Sequence, residues 1–176
     1  MCENKLEVVK ELLNSKKIWI NRRNEDDDGF TPLHGACLKG YGEMVKLLLE
    51  NAISKKNTIH LNSFDCNGCR PIYYAIKGNH IDIVRQLIDL EIVEVNCIIN
   101  DEGNTSLHFA CQIGELEMVQ LLLEKKANIN AVNDYGDTPL HVAVYKDHKN
   151  IVKLLISEKS AACLYSKNRK KILVLC

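Results

Sequence analysis

Proline is scarce, at three in 176 residues, glycine stops at nine, and aromatic residues make up 6% of the chain. That shortage disfavours a loop-rich β-sandwich, which needs turn residues throughout. A dominant sign of charge is missing too: 23 basic residues stand against 23 acidic ones, a net of zero with histidine neutral. Nucleic acid and anionic membrane are therefore not expected as partners, because whole-chain binders of that kind carry a basic excess. No apolar run approaches the roughly 18 residues that cross a bilayer. The opening Met1-Cys2-Glu3-Asn4-Lys5 has no apolar core of a secretory signal. With 46% hydrophobic and 26% charged residues the chain is expected to fold rather than stay disordered. Eight cysteines without a signal read as reduced thiols in a cytosolic or nuclear setting, several of them buried small hydrophobes.

What the chain does have is an internal period. Thr31-Pro32-Leu33-His34 returns as Thr138-Pro139-Leu140-His141, with weaker copies at Arg70-Pro71-Ile72-Tyr73 and Thr105-Ser106-Leu107-His108. The copies start 39, 35 and 33 residues apart. Two positions before each threonine slot stands a glycine (Gly29, Gly68, Gly103, Gly136), and five after it an alanine (Ala36, Ala75, Ala110, Ala143). A second block keeps the same rhythm: Val45-Leu48-Leu49, Val84-Leu87-Ile88, Val119-Leu122-Leu123 and Val152-Leu155-Ile156 carry the i, i+3, i+4 spacing of an apolar helical stripe. Val9-Leu12-Leu13 matches the second block alone, and Lys171-Ile172-Leu173-Val174 falls where a further first block would start.

Each residue type suits its slot. Glycine before the threonine takes the positive φ of a tight turn. Threonine caps a short helix through its hydroxyl, and proline at the first helical position needs no N–H. Alanine lets neighbouring helices approach. Gly40 and Gly114, between the two blocks, supply a left-handed end to the first helix; Asn79 does so fairly cheaply and Asp147 less well. The unit is turn, short helix, turn, longer amphipathic helix, connection. One unit is too short to bury its own apolar face, so units must stack.

The Gly-x-Thr-Pro-Leu-His-x-Ala pattern, the Val-x-x-Leu-Leu block and the period of about 33 residues resemble the ankyrin-repeat family over nearly the whole chain. The stretch Lys126-Ala127-Asn128-Ile129-Asn130-Ala131 is similar to the family's post-helix segment, with lysine in its glycine slot. The resemblance implies an all-α solenoid of stacked helix-turn-helix units joined by β-hairpin-like loops. Residues 1–176 then form one domain: a partial repeat at 1–28, full repeats at 29–67, 68–102, 103–135 and 136–168, and a partial one at 169–176. Repeat two departs from the family at Arg70 and Tyr73, losing the cap and the imidazole that ties adjacent repeats there. Its preceding connection is also long, and the polar run from Ser54 to Ser63 reads as an exposed extended loop.

Chemistry is sparse. Cys66-Asn67-Gly68-Cys69 is a C-x-x-C, but a zinc site needs four ligands, and beyond His60 nothing offers to complete it. A thioredoxin-like use needs a βαβ setting. The pair reads as exposed thiols in hairpin slots, with a disulfide or a metal- or redox-responsive role as rivals. His34, His108 and His141 fill one slot of successive repeats and read as structural, as do His80 and His148 at the starts of second helices. No phosphate loop, nucleophile elbow or H-E-x-x-H is present, so neither catalysis nor a cofactor or metal is expected. The basic tail from Lys167 to Lys171 reads as the tip of an unfinished repeat, with an import or nucleic-acid patch as the rival.

In the ankyrin family, partners meet the hairpin tips and the exposed face of the first helices. Mapped here, the tips carry Asp28, Asp65, Asp101, Glu102, Asp134 and Asp137, expected to form an acidic ridge that draws a partner with a basic segment. The alternative is a solvated edge that only aids solubility. Tyr74, Phe109, Tyr145, Leu38 and Ile113 are expected to face the concave groove, with Phe30 and Tyr135 at the tips, as anchors for the partner. The alternative for this set is packing between repeats. The function implied is non-catalytic protein–protein recognition by a monomeric scaffold, adaptor or inhibitor. A regulatory segment of a larger enzyme, channel or effector is the second reading.

Overall fold

The computed structural model describes residue 11 and residues 29–55, 63–90 and 93–158. The half-repeat around Val9, Asp28, His60 and the tail from Lys167 lie outside them. Eight helices follow one another among residues 29–158: α1 (Pro32–Lys39), α2 (Gly42–Lys55), α3 (Pro71–Lys77), α4 (Ile81–Asp89), α5 (Ser106–Ile113), α6 (Leu116–Glu124), α7 (Pro139–Tyr145) and α8 (Lys149–Ser157). They pair as α1/α2, α3/α4, α5/α6 and α7/α8, and the pairs stack in two layers. The first helices α1, α3, α5 and α7 form the closer layer, and α2, α4, α6 and α8 the other. Between pairs the described residues include hairpin turns at 65–69, 100–104 and 133–137, and an isolated antiparallel bridge joins Ile98 to Thr105.

The helix starts follow the capping rule and extend it. Thr31 and Thr138 each accept from the N–H three residues on, at 3.4 Å. The histidine there reaches back, its Nδ1 accepting from the threonine N–H at 3.1 Å in both. His108 does the same to Thr105 at 3.2 Å. Histidine thus fills the role that Glu or Gln takes in a capping box. Arg70 opens α3 with no side-chain cap, as the departure from threonine implied.

The turns inside the pairs hold positive φ in all four copies: Gly40 at 71°, Asn79 at 53°, Gly114 at 94° and Asp147 at 56°. A further requirement acts at Gly114, where the His148 ring lies over the glycine; an added Cβ would fall 2.3 Å from the imidazole. The Nε2 of that ring pairs with the Gln112 carbonyl at 3.4 Å. Gly114→Ala therefore meets both a left-handed backbone and an occupied space. A loss of about 1–2 kcal/mol is expected, read as a lowered urea midpoint at unchanged m-value; an unmoved midpoint would refute it.

One apolar core runs through the stack from Leu33 to Leu155. Val45, Val84 and Val119, the first residues of the second-block stripe, are all 0% exposed. Burying a side chain of that kind contributes about 1.5–3 kcal/mol. α2 has 14 residues against nine in α4, α6 and α8. Part of the expected loop at 54–63 is therefore helix, through Lys55; Ile53 on the added turn is 57% exposed, so burial of its side chain is not what extends the helix.

Candidate functional site

The hairpins at Gly68, Gly103 and Gly136 are each anchored by an Asx side chain three residues before the glycine. The Asp65 Oδ1 accepts from the N–H groups of Asn67 and Cys69, both at 2.8 Å. Asn133 Oδ1 does the same for Tyr135 at 3.1 Å and Asp137 at 2.9 Å, and Asn100 Oδ1 accepts from Asn104 at 3.0 Å. Such turns satisfy backbone donors locally. Successive hairpins are then tied together: Asn133 Nδ2 donates to Asn104 Oδ1 at 2.9 Å, and the Asp134 N–H to the Glu102 carbonyl at 3.2 Å.

This anchoring divides the expected acidic ridge. Asp65 and Asp137 are buried, at 5% and 8% exposure, so neither belongs to a charged surface. Both of the Asp65 oxygens are engaged, the second by the Tyr74 hydroxyl at 2.5 Å. The Asp137 carbonyl accepts from the next layer back, at 2.9 Å from His108 Nε2. Asp101, Glu102 and Asp134 do stay exposed. The bond between the Asp134 and Glu102 backbones brings these three together at adjacent tips, beside the exposed ring of Tyr135.

The aromatic set is corrected in the same way. Tyr74 and Phe109, expected in the groove, are buried to 7% exposure and pack between layers. Phe30 is half-buried, its ring centroid 5.4 Å from His34 and 4.9 Å from Tyr74. Leu38 and Tyr145 are exposed, but they sit at the ends of α1 and α7, and the same slot between them carries Lys77 and Gln112. They do not converge. Ile113 is half-buried at the end of α5. The aromatic missed by pattern reasoning is Tyr73, in the histidine slot, half-buried and stacked on Phe109 at 4.3 Å and 24°. Its signal was present: it is the one member of that slot that is not histidine.

The histidines behave as structural ties. His34 Nδ1 accepts from Thr31, so its Nε2–H donates onward to the Cys69 carbonyl at 3.2 Å, one layer on. His108 repeats this towards Asp137. Burial holds the His108 imidazole below its usual pKa, with the carbonyls of Asp137 and Ala131 partly offsetting it. Of the C-x-x-C pair, Cys66 is exposed, but Cys69 is buried rather than exposed, and neither is bridged. Burial, with Asp65 and Asp101 beside it, pushes the Cys69 thiol up to about 11, away from thiolate chemistry at neutral pH. Burial alone raises Cys37 and Cys111 further. Among the described residues no three His, Cys, Asp or Glu side chains converge as a metal site, and no helix is long and apolar enough to cross a membrane.

Comparison with known proteins agrees with this architecture. A family model described as ankyrin repeats in three copies matches residues 1–98 and 90–168. The chain is 29% identical over 126 residues to the transient receptor potential cation channel subfamily A member 1 of Homo sapiens, covering 72% of this chain and 10% of the channel. It is 30% identical over 128 residues to the probable 26S proteasome regulatory subunit p28 of Saccharomyces cerevisiae, 72% of this chain and 54% of that protein. It is 33% identical over 88 residues to the putative ankyrin repeat protein FPV223 of Fowlpox virus, 50% of this chain and 55% of that one. The chain thus spans a tenth of the channel's length and about half that of the other two. Ankyrin repeats are protein-interaction modules, and with the stacked pairs, the histidine ties and a matching family model along nearly its whole length, the chain belongs to the ankyrin-repeat family.

Proposed function

We propose that this chain recognises another protein, without catalysis, through its hairpin tips and the groove beside them, as a scaffold, adaptor or inhibitor. The observation that carries the reading is the exposed cluster of Asp101, Glu102 and Asp134 next to Tyr135, on hairpins cross-linked by Asn133 and Asn104. A rigid tip presents charge and an aromatic face at little entropic cost on binding. The carboxylates favour a partner with a basic segment and raise its rate of encounter. Phe30, Leu38, Ile113 and Tyr145 offer apolar surface at separate places along the groove. Tyr74, Phe109, Asp65 and Asp137 are assigned to the frame. The protein acts as a monomer in the cytosol or nucleus, and its zero net charge disfavours nucleic acid.

Affinity capture from native lysate tests this, comparing the chain with an Asp101→Asn, Asp134→Asn, Tyr135→Ala triple variant. Capture of the specific partner should fall at least about tenfold while the melting temperature is kept. Undiminished capture would remove the tips from the binding surface. A second reading, a regulatory ankyrin segment of a larger enzyme or channel, draws on the short share of the channel that the match occupies. A longer native transcript with catalytic or membrane-spanning segments would favour it.

A further inference from the structure

The histidine slot of repeat two breaks the pattern of its neighbours. His34, His108 and His141 are buried there to 0–1% exposure. Tyr73 is half-buried and gives up the interlayer imidazole bond. One face of its ring is covered by Phe109, nearly parallel, and the Tyr74 ring stands perpendicular to it at 5.1 Å and 89°. Over the ring, and so on the face that Phe109 leaves open, stands the Lys77 ammonium, 5.8 Å from the centroid. That is close to the outer limit of about 6 Å for attraction of a cation to a ring. Lys77 is exposed.

The surroundings favour positive charge. Asp101 stands against the Gly68 turn at the head of the same repeat, its Cβ 3.1 Å from where a Cβ on Gly68 would lie, and Glu102 beside it is exposed as well. Glu102 is oriented by the Asn104 side-chain amide at 2.8 Å. Arg70 does not fill the site: its guanidinium lies over Phe64 at 4.0 Å, and its Nε donates to the Ile98 carbonyl at 2.7 Å. An arginine suits such a place better than a lysine. Its plane is weakly hydrated, stacks on a ring and presents a fork of donors to carboxylates.

We infer that the open face of Tyr73 receives an arginine side chain from the partner, drawn there by the exposed carboxylates of Asp101 and Glu102 on the adjoining hairpin tip, and that Lys77 is the placeholder it displaces. This rests on the partner-binding reading above and names its contact.

The test is titration of the whole chain with a labelled hexa-arginine peptide, with hexalysine and hexaglutamate as comparisons. Hexa-arginine should bind at least fivefold tighter than hexalysine, and hexaglutamate should not bind. Tyr73→His, which restores the residue of the other repeats, should weaken hexa-arginine about tenfold and remove its advantage over hexalysine. Lys77→Ala, at an exposed position, should strengthen hexa-arginine about threefold, and more than Lys39→Ala, which removes the same charge elsewhere. Equal affinity for the two cationic peptides, indifference to Tyr73→His, or a Lys77→Ala effect no greater than that of Lys39→Ala overturns the inference. Partner capture that survives Tyr73→His but not the tip variant sinks this contact alone; capture indifferent to both sinks the groove reading as well.

Discussion

His108→Ala is expected to destabilise the chain by about 3–4 kcal/mol, lowering the melting temperature by roughly 10 °C for a protein of this size. The side chain is 0% exposed and bonds in two directions. Its Nδ1 accepts from the Thr105 N–H at 3.2 Å and lies 2.9 Å from that hydroxyl, closing the cap of α5. An accepting Nδ1 leaves the proton on Nε2, which donates to the Asp137 carbonyl at 2.9 Å in the next hairpin. Alanine leaves a buried carbonyl and a buried N–H without their partner, and a cavity where the imidazole stood. Thermal unfolding by far-UV circular dichroism reads the effect; a drop under about 1 kcal/mol would show that the layers do not depend on this tie.

The same residue sets a pH dependence whose sign is fixed by burial. The folded imidazole has its pKa below the ordinary 6.5, so it takes up a proton less readily than in the unfolded chain. Stability from this group is fully present above about 6.5 and is lost as pH falls from there towards the folded value. His108→Gln, which removes the titrating group, should show a shallower fall in melting temperature between pH 7 and pH 5 than the unaltered chain. Equal slopes would mean that other groups carry the dependence.

The architecture was legible because it is repetitive: four copies of one slot vote on each position. Asn79 and Asp147 take the left-handed turn that Gly40 and Gly114 mark, and Lys126 takes φ of 65° in a slot read as glycine. The inward or outward direction of a side chain was less legible, since that depends on the neighbouring layer. Tyr73 and Tyr74 are adjacent, yet the pattern alone named the buried one as exposed and passed over the half-exposed one. The acids divided on a finer register that was present in the sequence. Asp65, Asn100 and Asn133 stand three before the hairpin glycine and turn inward as anchors, whereas Asp101 and Asp134 stand two before it and remain outside. Two asparagines in the first of these slots already marked it as a hydrogen-bonding position rather than a charged one.

That division makes Asp65→Ala a large perturbation and Asp101→Asn a small one. Asp65 serves three donors at once, the N–H groups of Asn67 and Cys69 and the hydroxyl of Tyr74. Burial first, then the Asp65 carboxylate, raises the Tyr74 phenol, so it stays a proton donor at any ordinary pH. Bonds to a charged acceptor contribute about 1.5–3 kcal/mol each, and a buried donor left alone costs about 1–3 kcal/mol. Sharing among three donors brings the expected loss for Asp65→Ala to about 4 kcal/mol. Asp65→Asn should cost much less, about 1 kcal/mol, because Asn100 and Asn133 already hold the equivalent turns with an amide oxygen. Asp101→Asn, exposed at the tip, should stay within about 0.5 kcal/mol. Tyr74→Phe on the Asp65→Ala background should recover part of the loss, since the stranded hydroxyl goes with it; a double-mutant cycle over the two positions should give a coupling of about 1–2 kcal/mol. Were Asp65→Ala as mild as Asp101→Asn, Asp65 would return to the ridge as a surface charge, and the partition of the acids into frame and docking surface would fail.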